Sequence, residues 1–397
     1  MSALGSKIFL FIGVPESETS VEASLSPSKK TRLVSLDVLR GITIAFMILV
    51  NNNGDGDHAY WALKHAKWNG FTPTDLVFPT FLFLMGTSIV FSTESRLARG
   101  SSKASLVGHT LFRSVVLFVL GLIVNGFPSF PLATLRIYGV LPRFAICYLI
   151  CSLLYLLSRR VSDKVLLFVV ALVGYWVLVR WVPVPGYGLP GRDIPLLDKD
   201  ANLVAYLDRH IFPGRLYEGT RDPEGLLSTL PAIGTVLAGM LTGSWLRSAR
   251  SLQQKAVGIL TAGVMGLLLG GAWNYWFPIN KKLWTSSYVL FAAGWTLVLL
   301  AFCFWAIEIK KYQRGLWFWL VFGTNAITAY VFSELLQSTL YAVRVQGQSS
   351  LQRSLYLKFL PVFPSQPVAS LVYSLCFVFV CWVPVYFLYR KKIFIKI

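Results

Sequence analysis

The sequence predicts an all-α fold, a polytopic transmembrane helical bundle of about ten spans. Of its 397 residues, 55% are hydrophobic and 14% are charged, whereas soluble domains carry about a quarter charged residues. The hydrophobic residues are gathered into runs of roughly 20 residues, long enough to cross a bilayer. Only helices or closed barrels satisfy their backbone in lipid, and runs of this length indicate helices. A soluble protein with buried helices shows shorter runs, about 10–14 residues.

The predicted spans follow one another from residue 36 onward. Their approximate bounds are 36–53, 75–95, 107–126, 138–157, 164–182, 226–247, 256–277, 285–307, 316–340 and 368–389. In residues 1–31 one apolar stretch, at 8–14, is too short to span and lacks a small-residue cleavage site. We therefore predict a flexible cytoplasmic tail over 1–31 and one transmembrane domain over 32–397, with a large outer loop at about 183–225.

Every second connection between spans is basic, and this orients the bundle. The basic connections lie at 29–32, 96–103, 159–164, 247–255, 310–314 and 390–396. Lysine and arginine beside membrane spans mark the cytoplasmic side, so the N- and C-termini are both predicted to be cytoplasmic. These connections also contain most of the lysines and arginines that give the chain its net charge of +19. With no nucleic-acid or nucleotide motif present, we predict the lipid bilayer, and no nucleic acid, as partner.

No metal site is predicted. The five cysteines all lie inside apolar runs without metal-type spacing, which is typical of small buried residues. The stretch at 53–58, Asn-Gly-Asp-Gly-Asp-His, resembles part of a calcium loop. It lacks the full spacing and the distant glutamate of such a loop, so a turn is predicted.

Ionisable residues inside membrane spans are candidate functional residues, because they are costly to bury there. Asp37 and Arg40 are three residues apart in the first span and share a helix face. They form either a structural ion pair or a site where Arg40 binds an anionic group from the cytoplasm. Arg143 lies about one turn inside the fourth span, where an arginine needs a partner, a pore or a ligand.

His65 and Asp75 lie at the outer edge of the second span, ten residues apart. Histidine is the side chain best suited to proton transfer near neutral pH. The structural alternatives are an ordinary loop histidine and a carboxylate favoured by the helix dipole.

Two other outer connections carry charged residues. Asp222 and Glu224 precede the sixth span, where they either cap the helix or receive the cation of an amino-bearing substrate. Lys281 and Lys282 depart from the pattern of basic cytoplasmic connections, and phosphate binding is one reason for them. Trp284 opens the eighth span as a predicted interfacial anchor.

Several motifs occur in one order from about residue 32 to the end. They are Arg32-x-x-Ser35-x-Asp37-x-x-Arg40-Gly41, Val50-Asn51, Lys64-His65-Ala66-x-Trp68-Asn69-Gly70, Asp75-Leu-Val-Phe-Pro79, Gly139-Val-Leu-x-Arg143, Asp222-Pro-Glu-Gly225, Asn280-Lys281-x-Leu-Trp284-x-x-Ser287-Tyr288 and Tyr389-Arg390-Lys-Lys-Ile-Phe. Together they resemble the membrane acetyltransferases similar to heparan-α-glucosaminide N-acetyltransferase. The Lys-His-Ala motif is the most specific of them.

The resemblance implies transfer of an acetyl group from cytoplasmic acetyl-CoA to an amino sugar on the far side of the membrane. It makes His65 the catalytic residue and places Asn51 close to it. The family's lysosomal member has a lumenal domain and a span ahead of this core, which are absent here, and the loop from Asn51 to His65 is a few residues longer. We therefore expect a bacterial-type enzyme of the inner membrane, with a different acceptor. A homodimer is also expected from the resemblance.

The chemistry leaves two roles for His65. It accepts the proton of the attacking amine, or it carries the acetyl group as an acyl-imidazole. Asn51 and Asn69 are candidate donors to the oxyanion, with Asp75 as a further catalytic residue. Asn69, Trp68, Asp222 and Glu224 are the predicted acceptor contacts. The predicted contacts of the polyanionic CoA are Arg40, Arg143, Lys281, Lys282, Trp284 and Ser287.

Two other functions use the same polar bundle. A transporter or flippase of sugars or glycolipids would need no acetyl transfer and would lose little on His65→Ala. An O-acyltransferase of a surface polysaccharide or lipid would keep His65 as base and change the acceptor.

Overall fold

The computed structural model describes residues 33–211, 214–345 and 349–395, which are almost entirely helical. The predicted tail at 1–31 lies outside these residues. The α-helices are α1 Val34–Asn51, α2 Val77–Leu97, α3 Lys103–Gly126, α4 Val140–Leu157, α5 Val161–Trp181, α6 Leu203–Ile211, α7 Thr229–Leu246, α8 Leu252–Trp273, α9 Ser286–Phe304, α10 Leu316–Thr324, α11 Ala326–Ala342, α12 Leu351–Leu357 and α13 Gln366–Arg390. Two short strands, β1 Arg344–Val345 and β2 Ser349–Ser350, pair antiparallel.

The predicted transmembrane fold is confirmed. Within the described ranges, nine helices are long and apolar enough to cross a membrane. They are α1, α2 with its preceding turn from Pro73, α3, α4, α5, α7, α8, α9 continued to Ile309, and α13. The count reaches ten when α10 and α11 are taken as one broken span. The cytoplasmic location of the termini stays a prediction.

The ninth predicted span, 316–340, is not the continuous helix that its hydropathy suggested. Between α10 and α11 the axis bends by 81°, with Asn325 at the break. The Asn325 side chain donates to the carbonyl of Ile393 at 3.2 Å and accepts from the amide of Ile395 at 3.0 Å. The break is therefore held by the chain end that follows α13, a contact that hydropathy does not report.

Helix α10 packs against α1 through two glycines. A Cβ atom on Gly41 would lie 1.8 Å from the carbonyl oxygen of Trp319, and one on Gly323 would lie 2.0 Å from that of Asp37. The two helices run in the same sense, because Ser35 at the start of α1 contacts Glu308 ahead of α10 and Asn51 at its end contacts Glu334 in α11. Small residues allow this backbone approach, as is common between membrane helices.

A second close pair, α2 and α7, positions the two loops that matter for function. A Cβ atom on Gly86 would lie 2.1 Å from the carbonyl oxygen of Val236, and one on Gly239 would lie 2.0 Å from that of Phe83. Helix α2 begins directly after Asp75, and α7 begins shortly after Glu224. Their tight packing therefore holds these two acidic segments beside each other.

The two ends of the bundle differ in chemistry. The end to which α1 runs, here named the His65 end, carries the connections 52–72, 127–139, 182–228 and 274–285. The opposite end, named the basic end, carries the short connections 98–102, 158–160, 247–251 and 310–315. Helices α3, α5 and α8 are peripheral, because their hydrophobic faces are largely exposed. In a bilayer these faces contact lipid chains.

Candidate active site

The Asp75 side chain is buried and points at His65. One carboxylate oxygen, Oδ1, lies 2.7 Å from Nδ1 of His65. The other, Oδ2, accepts from the backbone amides of Ala66 at 3.1 Å and Thr72 at 3.0 Å. Thr72 precedes the short 3₁₀ turn Pro73–Leu76, so the carboxylate closes the turn that starts the second span. The sequence motif folds into a compact His–Asp unit.

The partners of Asp75 determine the tautomer of His65. Hydrogen bonds from two backbone amides favour the ionised form of the Asp75 carboxylate, and an ionised carboxylate only accepts. The Nδ1 atom of His65 therefore carries the hydrogen and donates it to Oδ1. In a neutral imidazole the other ring nitrogen, Nε2, then holds a lone pair. The side chain of His65 is 42% exposed, so this nitrogen is open to a substrate.

The surroundings of His65 favour its neutral form. Burial against the protein on several sides lowers the pKa of His65, and the positive charge of Lys281 lowers it further. The hydrogen bond and charge of Asp75, and the charge of Glu224, act in the opposite direction without reversing the shift. A lowered pKa leaves the imidazole uncharged near neutral pH and able to accept a proton.

The segment that holds His65 is anchored to two outer loops. The indole of Trp68 donates to the carbonyl of Leu197 at 2.9 Å, and its ring lies 4.9 Å from the guanidinium of Arg221. The side-chain oxygen of Asn69 accepts from Asn280 at 3.1 Å. The amide of Gly70 donates to the carbonyl of Ile279 at 2.8 Å. Trp68 and Asn69 thus fix the position of the His65 segment.

A buried ion cluster stands beside this unit. Arg136 contacts both oxygens of Asp222, at 2.7 and 2.6 Å, and one oxygen of Glu224 at 2.7 Å. Burial raises the pKa of Glu224, but the charges of Arg136, Lys281 and Arg143 lower it overall, so Glu224 is ionised. Arg136 was not a predicted site residue. The sequence signal for it is weak, because it is a lone arginine in an outer connection.

Asn51 ends α1 at the same end of the bundle and meets a second residue that the sequence analysis missed. Its side-chain amide donates to Glu334 of α11 at 3.4 Å. Arg136 lies within electrostatic range of Glu334, and the charges of Glu334, Glu224 and Arg136 all act on Tyr330. Six segments of the chain therefore converge on one polar region. They are the segments that carry Asn51, His65 with Asp75, Arg136, Asp222 with Glu224, Lys281, and Glu334 with Tyr330.

The structure separates the remaining predicted residues into different environments. Arg143 is fully buried, donates to the carbonyl of Gly225 at 2.8 Å and to the hydroxyl of Ser228, and lies 5.2 Å from the Trp284 ring. Trp284 donates to Thr235 at 3.1 Å and is itself fully buried. These contacts hold the start of α7 against the loop before α9. The Nε and Nη1 atoms of Arg143 are buried without a hydrogen-bond partner among the described residues.

The loop before α9 and the first turn of that helix carry three more of the predicted residues, Lys281, Lys282 and Ser287. Each of them has a different environment. Ser287 is buried and donates to the carbonyl of Phe277 at 2.5 Å. Lys282 pairs with Glu218 at 2.6 Å. Lys281 lies within the range at which its positive charge lowers the pKa of His65. Of the lysine pair, one member therefore belongs to the polar region around His65 and the other to the outer loop.

Arg40 lies far from these residues, in a cavity at the basic end. It pairs with Asp37 at 2.8 Å, donates to Ser88 at 2.9 Å and contacts the carbonyl of Gly323 at 3.3 Å. The cavity has a volume of about 420 Å³. Its basic lining residues are Arg40, Arg96, Arg99, His109 and Arg113, and none of the described residues that line it is acidic. This is an environment for a polyanion.

Comparison with known proteins agrees with the motifs. Residues 32–270 match the family model described as heparan-alpha-glucosaminide N-acetyltransferase, catalytic. The heparan-alpha-glucosaminide N-acetyltransferase of Homo sapiens is 31% identical, over 92% of this chain and 60% of the relative. That of Mus musculus is 29% identical, over 97% of this chain and 64% of the relative. The chain spans less than two thirds of the length of either relative. The chain belongs to the family defined by the heparan-alpha-glucosaminide N-acetyltransferase catalytic domain.

Proposed function

We propose that this protein transfers the acetyl group of acetyl-CoA to the primary amine of an amino sugar. The observation that carries the proposal is the His65–Asp75 pair, with its 2.7 Å contact and a neighbouring lysine that keeps the imidazole neutral. A primary amine must lose a proton as it attacks a thioester, and a neutral imidazole can receive it. The names of the relatives support the same reaction class.

The cavity at the basic end suits the donor. Arginine side chains match the phosphates of CoA in charge and geometry. Phe81 lines this cavity and is six residues from Asp75 along the second span, about 10 Å of helix rise. An extended pantetheine arm entering from the basic end would thus approach His65 from inside the bundle. In this arrangement Arg40 belongs to the donor site, whereas Lys281 acts on His65.

The transfer itself needs three groups. The lone pair of His65 Nε2 takes the amine proton as the nitrogen bonds to the thioester carbon, and the proton then passes to the departing thiolate. In a variant of this order, Nε2 attacks the thioester carbon and CoA leaves as its thiolate. The amine then attacks the acyl-imidazole, the C–Nε2 bond breaks, and the amine proton passes to the freed Nε2. The side-chain amides of Asn51 and Asn69 are proposed donors to the oxyanion. The oxygen of Asn69 is occupied by Asn280, which leaves its NH₂ group as the donor.

The acceptor is proposed to bind at the His65 end, beside Asn51 and the acidic residues. Asp222 is fully engaged by Arg136 and by backbone amides, so it acts through Arg136. Glu334 accepts from Asn51 at 3.4 Å, and the charge of Lys281 acts on Glu224. Both carboxylates suit an ammonium group or sugar hydroxyls. The His65 end would then face away from the cytoplasm, as the basic connections indicate. A bacterial inner membrane and a homodimer are part of the proposal.

The test uses purified full-length protein, radiolabelled acetyl-CoA and glucosamine. We expect N-acetylglucosamine from the wild type and a loss of about a hundredfold or more for His65→Ala. His58→Ala is the matched control, because His58 lies in the same loop and pairs with Asp55 at 3.1 Å. Equal product from wild type and His65→Ala would refute the role of His65. Label retained on the protein before acceptor is added would identify the acyl-imidazole order.

The donor site has its own test. Arg113→Gln should raise the KM for acetyl-CoA about tenfold while kcat changes little, since one charged contact is lost. Arg159→Gln is the control, because Arg159 lies at the same end but pairs with Glu94 outside this cavity. Equal KM values for the two variants would place the CoA phosphates elsewhere.

A further inference from the structure

An apolar groove runs along the outside of the bundle between α1, α2 and α9. It has a volume of about 540 Å³, and none of the described residues that line it is charged. Its walls include Ile42 and Phe46 of α1 and Trp295 and Leu299 of α9. Trp295 and Leu299 are each 39% exposed. Because α1 and α9 are membrane spans, the groove opens sideways, toward the lipid chains of a bilayer.

One end of this groove is built by the segment that carries the candidate active site. Trp61, Phe71 and Pro73 line it, and they belong to the same connection as His65. The Phe71 ring lies 6.2 Å from Tyr288, and the Tyr288 hydroxyl donates to the backbone carbonyl of Asp75 at 2.6 Å. Phe71 and Tyr288 thus connect the end of the groove to the backbone of Asp75.

The groove continues toward the basic end. A second, mainly apolar cavity of about 420 Å³ shares Ile42 with it and extends along α1 to Val38 and along the end of α9 to Trp305, with Lys310 in its lining. From Val38 to Phe46 the rise along α1 is roughly 12 Å. An apolar seam of this length, running along the bundle axis, has the dimensions of an extended hydrocarbon chain and would be filled by one in a membrane.

We propose that this groove binds the hydrocarbon chain of the acceptor, so that the natural acceptor is an amino sugar carried on a lipid. The inference rests on the proposed acetyl transfer and names its substrate class. The chain lies between α1 and α9, and the sugar sits at the His65 end, where its amine meets His65. The groove ends at the connection that carries His65, so an occupant that enters from the bilayer along this groove delivers its polar end to the catalytic segment.

Photolabelling tests occupancy without relying on activity. The probe is an alkyl β-glucosaminide with a diazirine at the end of its chain, added to the full-length protein in detergent. We expect the label on peptides of α1 or α9 that line the groove, and competition by unlabelled dodecyl glucosaminide. Leu299→Trp should reduce labelling at least about fivefold by filling the groove. Leu268→Trp is the control, since Leu268 is an exposed residue of α8 outside the groove.

Chain-length dependence tests the same proposal in catalysis. In the wild type, kcat/KM should be about tenfold or more higher for hexyl than for methyl glucosaminide, because the longer chain buries more apolar surface. Leu299→Trp should abolish this ratio while it still acetylates methyl glucosaminide, and Leu268→Trp should keep the ratio. Acetylation without any chain-length preference would overturn the lipid acceptor and leave the transferase intact. Groove labelling without acetylation would refute the transferase and support lipid binding.

A second copy of the chain is the alternative occupant. In that case the groove peptides would stay unlabelled, and Leu299→Trp would change the oligomeric state seen by light scattering in detergent. Either result would overturn the proposal.

Discussion

Nδ1 of His65 lies 2.7 Å from Oδ1 of Asp75, and both backbone donors to Asp75 approach its other oxygen. One carboxylate oxygen of Asp75 therefore holds the backbone of its own segment, and the other binds the imidazole of His65. This division explains how a half-exposed imidazole in a loop is held in one orientation. It also predicts that a change at Asp75 alters the hydrogen-bonding role of one atom, Nε2 of His65.

Asp75→Asn should lower kcat for acetyl transfer by about a hundredfold or more while the protein stays folded. The amide keeps an oxygen for Ala66 and Thr72 and presents its NH₂ group to His65. That group must donate, so Nδ1 of His65 becomes the acceptor and Nε2 carries the hydrogen. The measurement is steady-state kinetics beside Asp193→Asn, an aspartate that pairs with Arg192 in the outer loop. Equal rates for both variants would contradict the role of Asp75.

Lys281→Met should move the acid limb of the pH–rate profile to higher pH. The reaction needs neutral His65, so the rate rises with pH through the pKa of His65, which lies below its usual value of about 6.5. The charge of Lys281 disfavours the imidazolium, and its removal therefore raises that pKa. Lys282→Met is the matched control, because Lys282 pairs with Glu218. An unchanged profile in Lys281→Met would show that Lys281 does not act on His65.

Arg136→Gln should destabilise the protein by about 3–5 kcal/mol, because it leaves two buried carboxylates without their cation. Asp222 and Glu224 are 0% and 8% exposed. The measurement is thermal unfolding in detergent. Arg192→Gln removes an arginine from a solvent-exposed pair and should leave the midpoint unchanged. If Arg136→Gln and Arg192→Gln have the same unfolding midpoint, the ion cluster does not stabilise the protein.

Gly239→Ala should destabilise the protein by about 2 kcal/mol or more, because the added methyl forces α2 and α7 apart. The new Cβ atom would lie 2.0 Å from the carbonyl oxygen of Phe83. Gly271→Ala, in α8, meets no atom within 4 Å and should be neutral or stabilising. Unfolding midpoints of the two variants provide the comparison. A similar midpoint for both would mean that the two helices can separate without cost.

Local features of the chain were predictable from sequence. Each membrane span is a run of apolar residues, and a lipid environment leaves such a run no alternative to a helix. The His65–Asp75 unit could also be predicted, because the two residues are only ten positions apart and lie in adjacent motifs. Sequence did not show how the predicted CoA contacts are packed: Trp284 and Ser287 share a motif with Lys281 but are buried in the protein.

Contacts between distant segments were decided by the tertiary structure. Arg136 meets Asp222 and Glu224 across 86 and 88 residues, and Asn51 meets Glu334 across 283. Such pairs depend on which helices pack together, and here close approach at glycines determines that packing. The break at Asn325 has the same origin, because its hydrogen bonds come from the end of the chain. The sequence by itself determined where helices form and which loop carries the histidine. The charges around that histidine were placed by helix packing, since hydropathy acts along a segment whereas electrostatic pairing acts through space.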